Sequence, residues 1–418
     1  MSQDSPPPVT FADVEAATER IDDPSVVKQT PVEQSTTLES MTDASEVLLK
    51  CEHLQWTGSF KTRGAYNKIK TLLDEDGNVT AVVAASAGNH AQGVALAATT
   101  LGVDATIVMP RTAPQTKVEA TRGYGASVEL VGKDFQEATS HARELVDGTD
   151  AAFVHAYDDP AIVAGQGTLG VEMYEDAPDI DTVVVPIGGG GLISGIATAF
   201  AELRPETRIV GVQAEGAATV ADSLDKGSPQ TLDSVDTIAD GIATGGVSDL
   251  TLSIIDRHVD EVVTVTNGQI ADAVLLLLER AKQLVEGAGA ASVAAIRGSD
   301  LDVSGERVMP LLCGGNLDMT MLRAILVHAL THRQQLLELR VHIDDRPGKM
   351  AELSGIISDH GANIHTVHHD RAIADLDVGE AYLTFEVETS GAAHARSIVE
   401  SIADHGYPVE VVNRAATT

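Results

Sequence analysis

The sequence predicts an α/β protein with buried parallel strands, followed by a smaller domain of order βαββαβ. Three observations carry this. From about residue 80, short β-branched runs alternate with longer alanine-rich, helix-like segments. Several of those runs end in glycine-rich or small polar turns, the place where open α/β sheets bind ligands. After the helix-like "MTMLRAILVHALTHRQQ" the pattern changes to shorter elements that alternate with two helices.

Taken in order, "TAVVAASAGNH", "ATIVMP", "ASVELVG", "TVVVPIGGGG", "RIVGVQAE" and "VMPLLCGGN" are the short β-branched runs, the pattern of an α/β protein with buried parallel strands. "TRGAYNKIKTLL" reads as a helix beginning just after Lys61. In the last part, "LLELRVHID" is a strand, "GKMAELSGIISDHG" a helix, "NIHTVHHDRA" and "EAYLTFEVET" strands, "AAHARSIVESIADHG" a helix and "PVEVVN" a strand. That order is the ferredoxin-like split arrangement.

The 418 residues allow two or three domains, and a 43% hydrophobic content gives each a core. The net charge of -34, from 62 acidic against 28 basic residues, opposes nucleic acid or an anionic membrane as partner. Such self-repulsion is best tolerated where salt screens it, which predicts a halophilic, high-salt cytoplasm. The first 20 residues lack the order of a secretory signal. The two cysteines, Cys51 and Cys313, have no zinc or disulfide spacing.

In "GSFKTRGA" Lys61 is either a solvated helix-start charge or an amine held in a desolvated pocket, where it could serve as a base or Schiff-base nitrogen. Gly188 to Gly191, between an apolar strand and a helix, form an anion cradle. A single phosphate group and a dinucleotide fit it equally, the latter because Gly189, Gly191 and Gly195 are followed by Glu215 about 20 residues on. "ASAGNHAQG" puts Ser86, Asn89 and His90 at a helix start, where the first two could be N-caps. "LLCGGN" puts Cys313 at a strand end, where it could be a small buried hydrophobe.

In this order and at these separations, "GSFKTRGA", "ASAGNHAQG", "GGGGLISG", "EGAGA" and "CGGN" resemble the fold-type II pyridoxal-phosphate enzymes, specifically the serine/threonine dehydratases. The resemblance spans about residues 10 to 330. It implies a catalytic domain over 1–335, with a smaller subdomain at about 56–150 and a larger one from 1–55 and 151–335. It also implies that Lys61 forms the internal aldimine with pyridoxal 5'-phosphate. Phe60 would lie beside the pyridine ring, and Gly188, Gly189, Gly190, Gly191 and Leu192 would hold the phosphate. Asn89 would bond the ring hydroxyl, and Ser86, Ala87, Gly88 and His90 would face the substrate carboxylate.

Most of the family has serine at the ring nitrogen, and this chain has Cys313. Both are neutral partners, which favours loss of a β-leaving group over racemisation. The resemblance thus implies deamination of L-threonine to 2-oxobutanoate and ammonia, and of L-serine to pyruvate, with 2-oxobutanoate feeding isoleucine synthesis. The competing readings are a serine racemase, which carries a second serine where this chain has Ala87, a nicotinamide-dependent oxidoreductase on the glycine turn, and a non-catalytic amino-acid sensor. Relatives that bind a cation place an acid where this chain has Gln213, with Glu215 as a possible substitute, so a metal stays open. The histidine groups "HALTH" and "HTVHH" read as solvated surface. No step is assigned to Glu286 of "EGAGA".

Residues 336–418, with "VHIDDRPGKMAEL" and "GANIHTV", resemble an ACT domain. The resemblance implies pairing through its sheet into a dimer or tetramer, and binding of an amino-acid effector, isoleucine or valine, at Asp345, Arg346, Pro347, Gly348 and Asn363.

Overall fold

A computed structural model of the chain describes residues 7–412 apart from 22, 76 and 78. Of the 20 residues read for a secretory signal, the first six lie outside the described residues. The described chain divides into two compact units between Leu317 and Asp318. The expected boundary at 335/336 differs from this by one helix, Met319–His332, which belongs to the second unit.

In the first unit the strands are β1 (Val32–Gln34), β2 (Glu46–Lys50), β3 (Ala81–Ala85), β4 (Asp104–Met109), β5 (Ser127–Leu130), β6 (Ala151–Phe153), β7 (Thr182–Pro186), β8 (Arg208–Ala214), β9 (Glu261–Val265) and β10 (Arg307–Pro310). They form two sheets of order β1-β2-β10-β7-β8-β9 and β5-β4-β3-β6. All neighbours pair in parallel except β1 with β2. β7 is buried along its whole length, as its run of valines requires in a sheet covered on both faces. The strands β1, β2, β6 and β9 are additions to the expected set; β1 and β6 are three residues long and β9 is largely half-buried. β6 pairs with β3 and carries the smaller sheet to residue 153, just past the expected edge at 150.

Four helices set the position of the chemistry. Helix Lys61–Glu75 packs on helix Asn89–Leu101 and on helix Pro160–Asp176, and the last also packs on helix Gly191–Leu203. The contacts are backbone to backbone. A Cβ at Gly165 would lie 2.7 Å from the Cα of Gly64 and 2.8 Å from the carbonyl oxygen of Arg63. One at Gly195 would lie 2.4 Å from the carbonyl oxygen of Val163 and 2.5 Å from the nitrogen of Gly167. One at Gly93 would lie 2.9 Å from the carbonyl carbon of Lys61.

The first of these helices is also tied by buried charge. The Arg63 guanidinium donates from Nε to Glu52 Oε1 at 2.7 Å and from Nη2 to Glu52 Oε2 at 3.0 Å and Glu172 Oε2 at 2.7 Å. The same Glu172 accepts from Lys50 Nζ at 2.6 Å, and Lys50 also reaches Asp176 at 2.7 Å. Arg63, Lys50 and Glu52 are all buried. Burial alone would raise the Glu172 carboxyl, but the Arg63 and Lys50 charges prevail and hold it below its ordinary range.

The second unit contains β11 (Leu336–Asp344), β12 (Asn363–Asp370), β13 (Glu380–Glu388) and β14 (Val409–Val411) in the order β12-β13-β11-β14, every neighbour antiparallel. Helices Lys349–Asp359 and Ala392–Asp404 complete a βαββαβ element order. Alternate residues of β11, Leu337, Leu339, Val341 and Ile343, point into a core with Leu353, Ile357, Phe385 and Ile398.

The charge network predicts a specific stability loss. Glu172→Gln leaves Arg63 and Lys50 with one carboxylate fewer, costing roughly 3 kcal/mol, read as a lower urea midpoint at pH 7. Because the folded-state pKa is depressed, this contribution is present above the unfolded carboxyl range and lost as the pH falls through the folded one. The gap between variant and wild type should therefore narrow in acid. Equal midpoints at pH 7 would contradict the account.

Candidate active site

The turns singled out from sequence lie at the carboxyl ends of their strands: residues 86–88 after β3, 187–190 after β7 and 311–316 after β10. Lys61 is the first residue of its helix and partly buried. Its Nζ donates to the Ala156 carbonyl at 3.0 Å and lies 5.0 Å from the centre of the Phe60 ring. Burial lowers the amine to about 8, against the opposing influence of Cys313 and Glu286. Roughly a tenth of it is then neutral at pH 7, against about one part in 3000 for an ordinary lysine. The solvated-charge reading of Lys61 does not hold.

Phe60 and Cys313 are buried side by side, the Phe60 amide donating to the Cys313 carbonyl at 3.3 Å. Burial, reinforced by the Glu286 charge, drives the Cys313 thiol far above the ordinary thiol range, so it stays neutral. In the second turn neither Ser86 nor Asn89 is a helix cap. Gly88 occupies the N-cap position without a side-chain bond, and Ser86 Oγ accepts from the Gly88 amide at 3.2 Å. Asn89 instead donates from Nδ2 to Glu286 Oε1 at 2.7 Å and accepts at Oδ1 from Asn316 Nδ2 at 2.9 Å. Ala87 and Gly88 are half-buried beside it. His90 is turned inward, with Nε2 3.0 Å from the Val154 carbonyl, and burial with the nearby Lys61 charge lowers it to about 3. Its imidazole is buried and committed to that carbonyl.

Gly188, Gly189, Gly190 and Gly191 lead into helix Gly191–Leu203, with Gly190 in the left-handed region at φ +89° and Leu192 buried in the first turn. A Cβ at Gly189 would lie 2.3 Å from the Tyr157 ring and one at Gly191 2.9 Å from Tyr157 Cβ. The segment through Ala156 and Tyr157 thus joins the lysine to the glycine turn. Thr251 Oγ1 braces the turn by donating to the Gly189 carbonyl at 2.9 Å.

Several contributors were not assigned from sequence. Tyr157, Thr251 and Asn316 act across long sequence separations that no local pattern carries. Glu286 is buried against Gly314, and its carboxyl is pushed up to about 7, chiefly by burial and against the bond from Asn89. Glu215 is exposed, and Gln213 is used up inside the fold, its Oε1 accepting from the amides of Thr219 and Val220. Among the described residues no group of three or more histidine, cysteine or acidic side chains could hold a metal.

Residues 25–314 match the family of pyridoxal-phosphate dependent enzymes. The chain belongs to that family. Its first unit has the fold-type II architecture. L-threonine ammonia-lyase of Thermotoga maritima is 44% identical over 404 residues, covering 97% of this chain and 100% of the relative. L-threonine ammonia-lyase of Geobacter sulfurreducens is 43% identical, covering 88% and 91%. Among solved structures, processed threonine deaminase isoform 2 from Solanum lycopersicum superposes with a TM-score of 0.71 at 36% identity, over 76% of this chain and 92% of that one. Maize serine racemase does so with a TM-score of 0.71 at 35% identity, over 78% and 99%.

The site fits the cofactor of the family. Its glycine turn leaves no room for side chains and sits at the positive end of a helix, as a phosphate requires. Its lysine is neutral enough to act as a nucleophile.

In the second unit Asp345 pairs with Arg371 at 2.6 Å and with His369 at 3.3 Å, beside the exposed turn of Arg346, Pro347 and Gly348, the last at φ +98°. Asn363 is not with them. It pairs with Glu388 on β13, whereas Asp344 pairs with Glu380 at the other end of that strand. Eight residues of strand separate the two places by roughly 25 Å. The expected five-residue effector site is therefore not assembled within one copy.

The lysine carries a direct pH prediction. In cofactor-free protein, an amine-directed reagent should label Lys61 with a midpoint near 8, fast above it and slow below. A midpoint near that of ordinary lysine would contradict the buried environment.

Proposed function

We propose that the chain deaminates L-threonine to 2-oxobutanoate and ammonia, and L-serine to pyruvate. The end-to-end similarity to the L-threonine ammonia-lyase of Thermotoga maritima carries this reading.

When bound, pyridoxal phosphate supplies an electrophilic carbonyl and a ring that stabilises negative charge at the substrate Cα. The amides of Gly188 to Gly191 and Leu192 would hold its phosphate, Phe60 would lie beside the ring, and Asn89 would donate to the ring hydroxyl. Cys313 would partner the ring nitrogen as a neutral thiol, which could not keep a proton there as a carboxylate would. The backbone of Ser86, Ala87, Gly88 and His90 receives the substrate carboxylate. The neutral fraction of Lys61 then takes the α-proton at Nζ, and the β-hydroxyl leaves with a proton as water. Hydrolysis of the released enamine returns that water and gives the 2-oxo acid and ammonia. A racemase needs a second proton donor on the opposite face, and Ala87 has none to offer.

The second unit is proposed to be an ACT domain of ferredoxin-like topology that responds to isoleucine or valine, which places the reaction ahead of isoleucine synthesis. With Asn363 far from the Gly348 turn, a site using both draws them from two copies, consistent with a dimer or tetramer paired through this domain. The acidic surface suits a halophilic cytoplasm.

Threonine should give 2-oxobutanoate and ammonia in equal amounts in molar KCl, with serine giving pyruvate. Racemised threonine or serine without 2-oxo acid would contradict the reading. For regulation, isoleucine or valine should lower threonine turnover about 5- to 150-fold. Gly348→Val forces a branched side chain into left-handed backbone and should weaken that response without loss of basal turnover. Indifference of the full-length protein to both amino acids would remove the effector role.

A further inference from the structure

Three turns that are distant in sequence meet at one carboxylate. Glu286 stands at the N-cap position of helix Gly287–Gly298, yet its side chain makes no capping bond to that helix. It turns instead into a slot between glycines. A Cβ at Gly314 would lie 2.2 Å from Glu286 Oε1, and one at Gly241 would lie 3.0 Å from the same oxygen. The Glu286 amide donates to the Gly314 carbonyl at 3.1 Å, which fixes the base of the side chain.

From that slot Oε1 accepts from Asn89 Nδ2 at 2.7 Å. On the other side Asn316 donates from Nδ2 to both the Thr57 carbonyl at 2.6 Å and Asn89 Oδ1 at 2.9 Å. The amide group of Asn316 has two hydrogens and both are used, so its orientation is determined. Asn89 is determined in turn, with its oxygen toward Asn316 and its nitrogen toward Glu286. A flipped carboxamide would set nitrogen against nitrogen and oxygen against carboxylate, losing both bonds. Asn89 is one helical turn ahead of Gly93, whose backbone touches Lys61, so this oriented amide borders the candidate site.

We propose that Glu286 is a positioning residue which, with Asn316, fixes the carboxamide of Asn89 so that its second Nδ2 hydrogen is left to donate to the bound cofactor. This rests on the reading of the site as a pyridoxal-phosphate site. Glu286 acts through its acceptor oxygen on Asn89 and not by touching the substrate. A glutamine in the same slot keeps an acceptor oxygen and should keep the orientation, whereas alanine removes it.

The test titrates cofactor-free protein with pyridoxal phosphate and follows visible absorbance, with a melting temperature for each variant. Glu286→Ala should weaken cofactor binding about tenfold, as expected for one lost hydrogen bond to a charged group, and should shift the absorbance maximum. Glu286→Gln should stay within about threefold of wild type. In an Asn89→Ala background, Glu286→Ala should add no further loss, because the group it positions is gone. Wild-type affinity and spectrum in Glu286→Ala would overturn the proposal. So would a Glu286→Gln variant as impaired as alanine, or a full additional loss in the Asn89→Ala background. If the Glu286 pattern appears while wild type makes no 2-oxobutanoate, the functional reading fails and the positioning role stands.

Discussion

The chemistry proposed for this chain depends on a fixed distance between Lys61 and the glycine turn at 188–191, which are more than 100 residues apart in sequence. Helix Pro160–Asp176 sets that distance. It touches the lysine-bearing helix through Gly64 and Gly165, and the helix that opens from the glycine turn through Gly167 and Gly195. Contacts made by backbone atoms have no rotamers to adjust, so the two ends of the site move only if whole helices move. The network of Arg63, Glu52, Glu172 and Lys50 ties the lysine-bearing helix to helix Pro160–Asp176. Arg63 is two residues from Lys61, and its charge would be costly to bury without these partners.

Burial does the second part of the work, and acts in different directions on different groups. It lowers the Lys61 amine toward neutrality, drives the Cys313 thiol away from ionisation, raises the Glu286 carboxyl and keeps the His90 imidazole uncharged. With the cofactor bound, a site with one readily neutral amine and a neutral thiol would suit the proposed abstraction of a proton by Lys61 and an unprotonated ring nitrogen. That combination favours elimination over reprotonation at Cα. The hydrogen-bonded chain from Thr57 through Asn316 and Asn89 to Glu286 is directional because each amide nitrogen donates and each oxygen accepts.

Much of this was legible in the sequence, for physical reasons that also mark where it stops. Parallel strands buried on both faces are continuous apolar runs, so β3, β4, β7, β8 and β10 stand out. β1 and β6 are three residues long and β9 is half-buried, and such segments leave little pattern. The glycine turn and Lys61 are visible because their residue types are unusual at those places. Ser86 and Asn89 fit a helix cap equally well by type, and only the partners of Asn89, found far along the chain, separate the two readings. Tyr157 and Thr251 carry no signal that a sequence reader could use. A motif match groups Asn363 with Gly348, whereas strand register sends it to the other end of the sheet within one copy, a separation no local pattern reveals.

The central claim is that Lys61 is the residue joined to the cofactor. It is tested most directly by reducing the purified protein with borohydride and mapping the product by peptide mass spectrometry. The account predicts a visible absorbance that reduction abolishes, with the pyridoxyl mass fixed on the peptide containing Lys61. A protein with no such absorbance after incubation with pyridoxal phosphate, or with the mass on a different lysine, would contradict it.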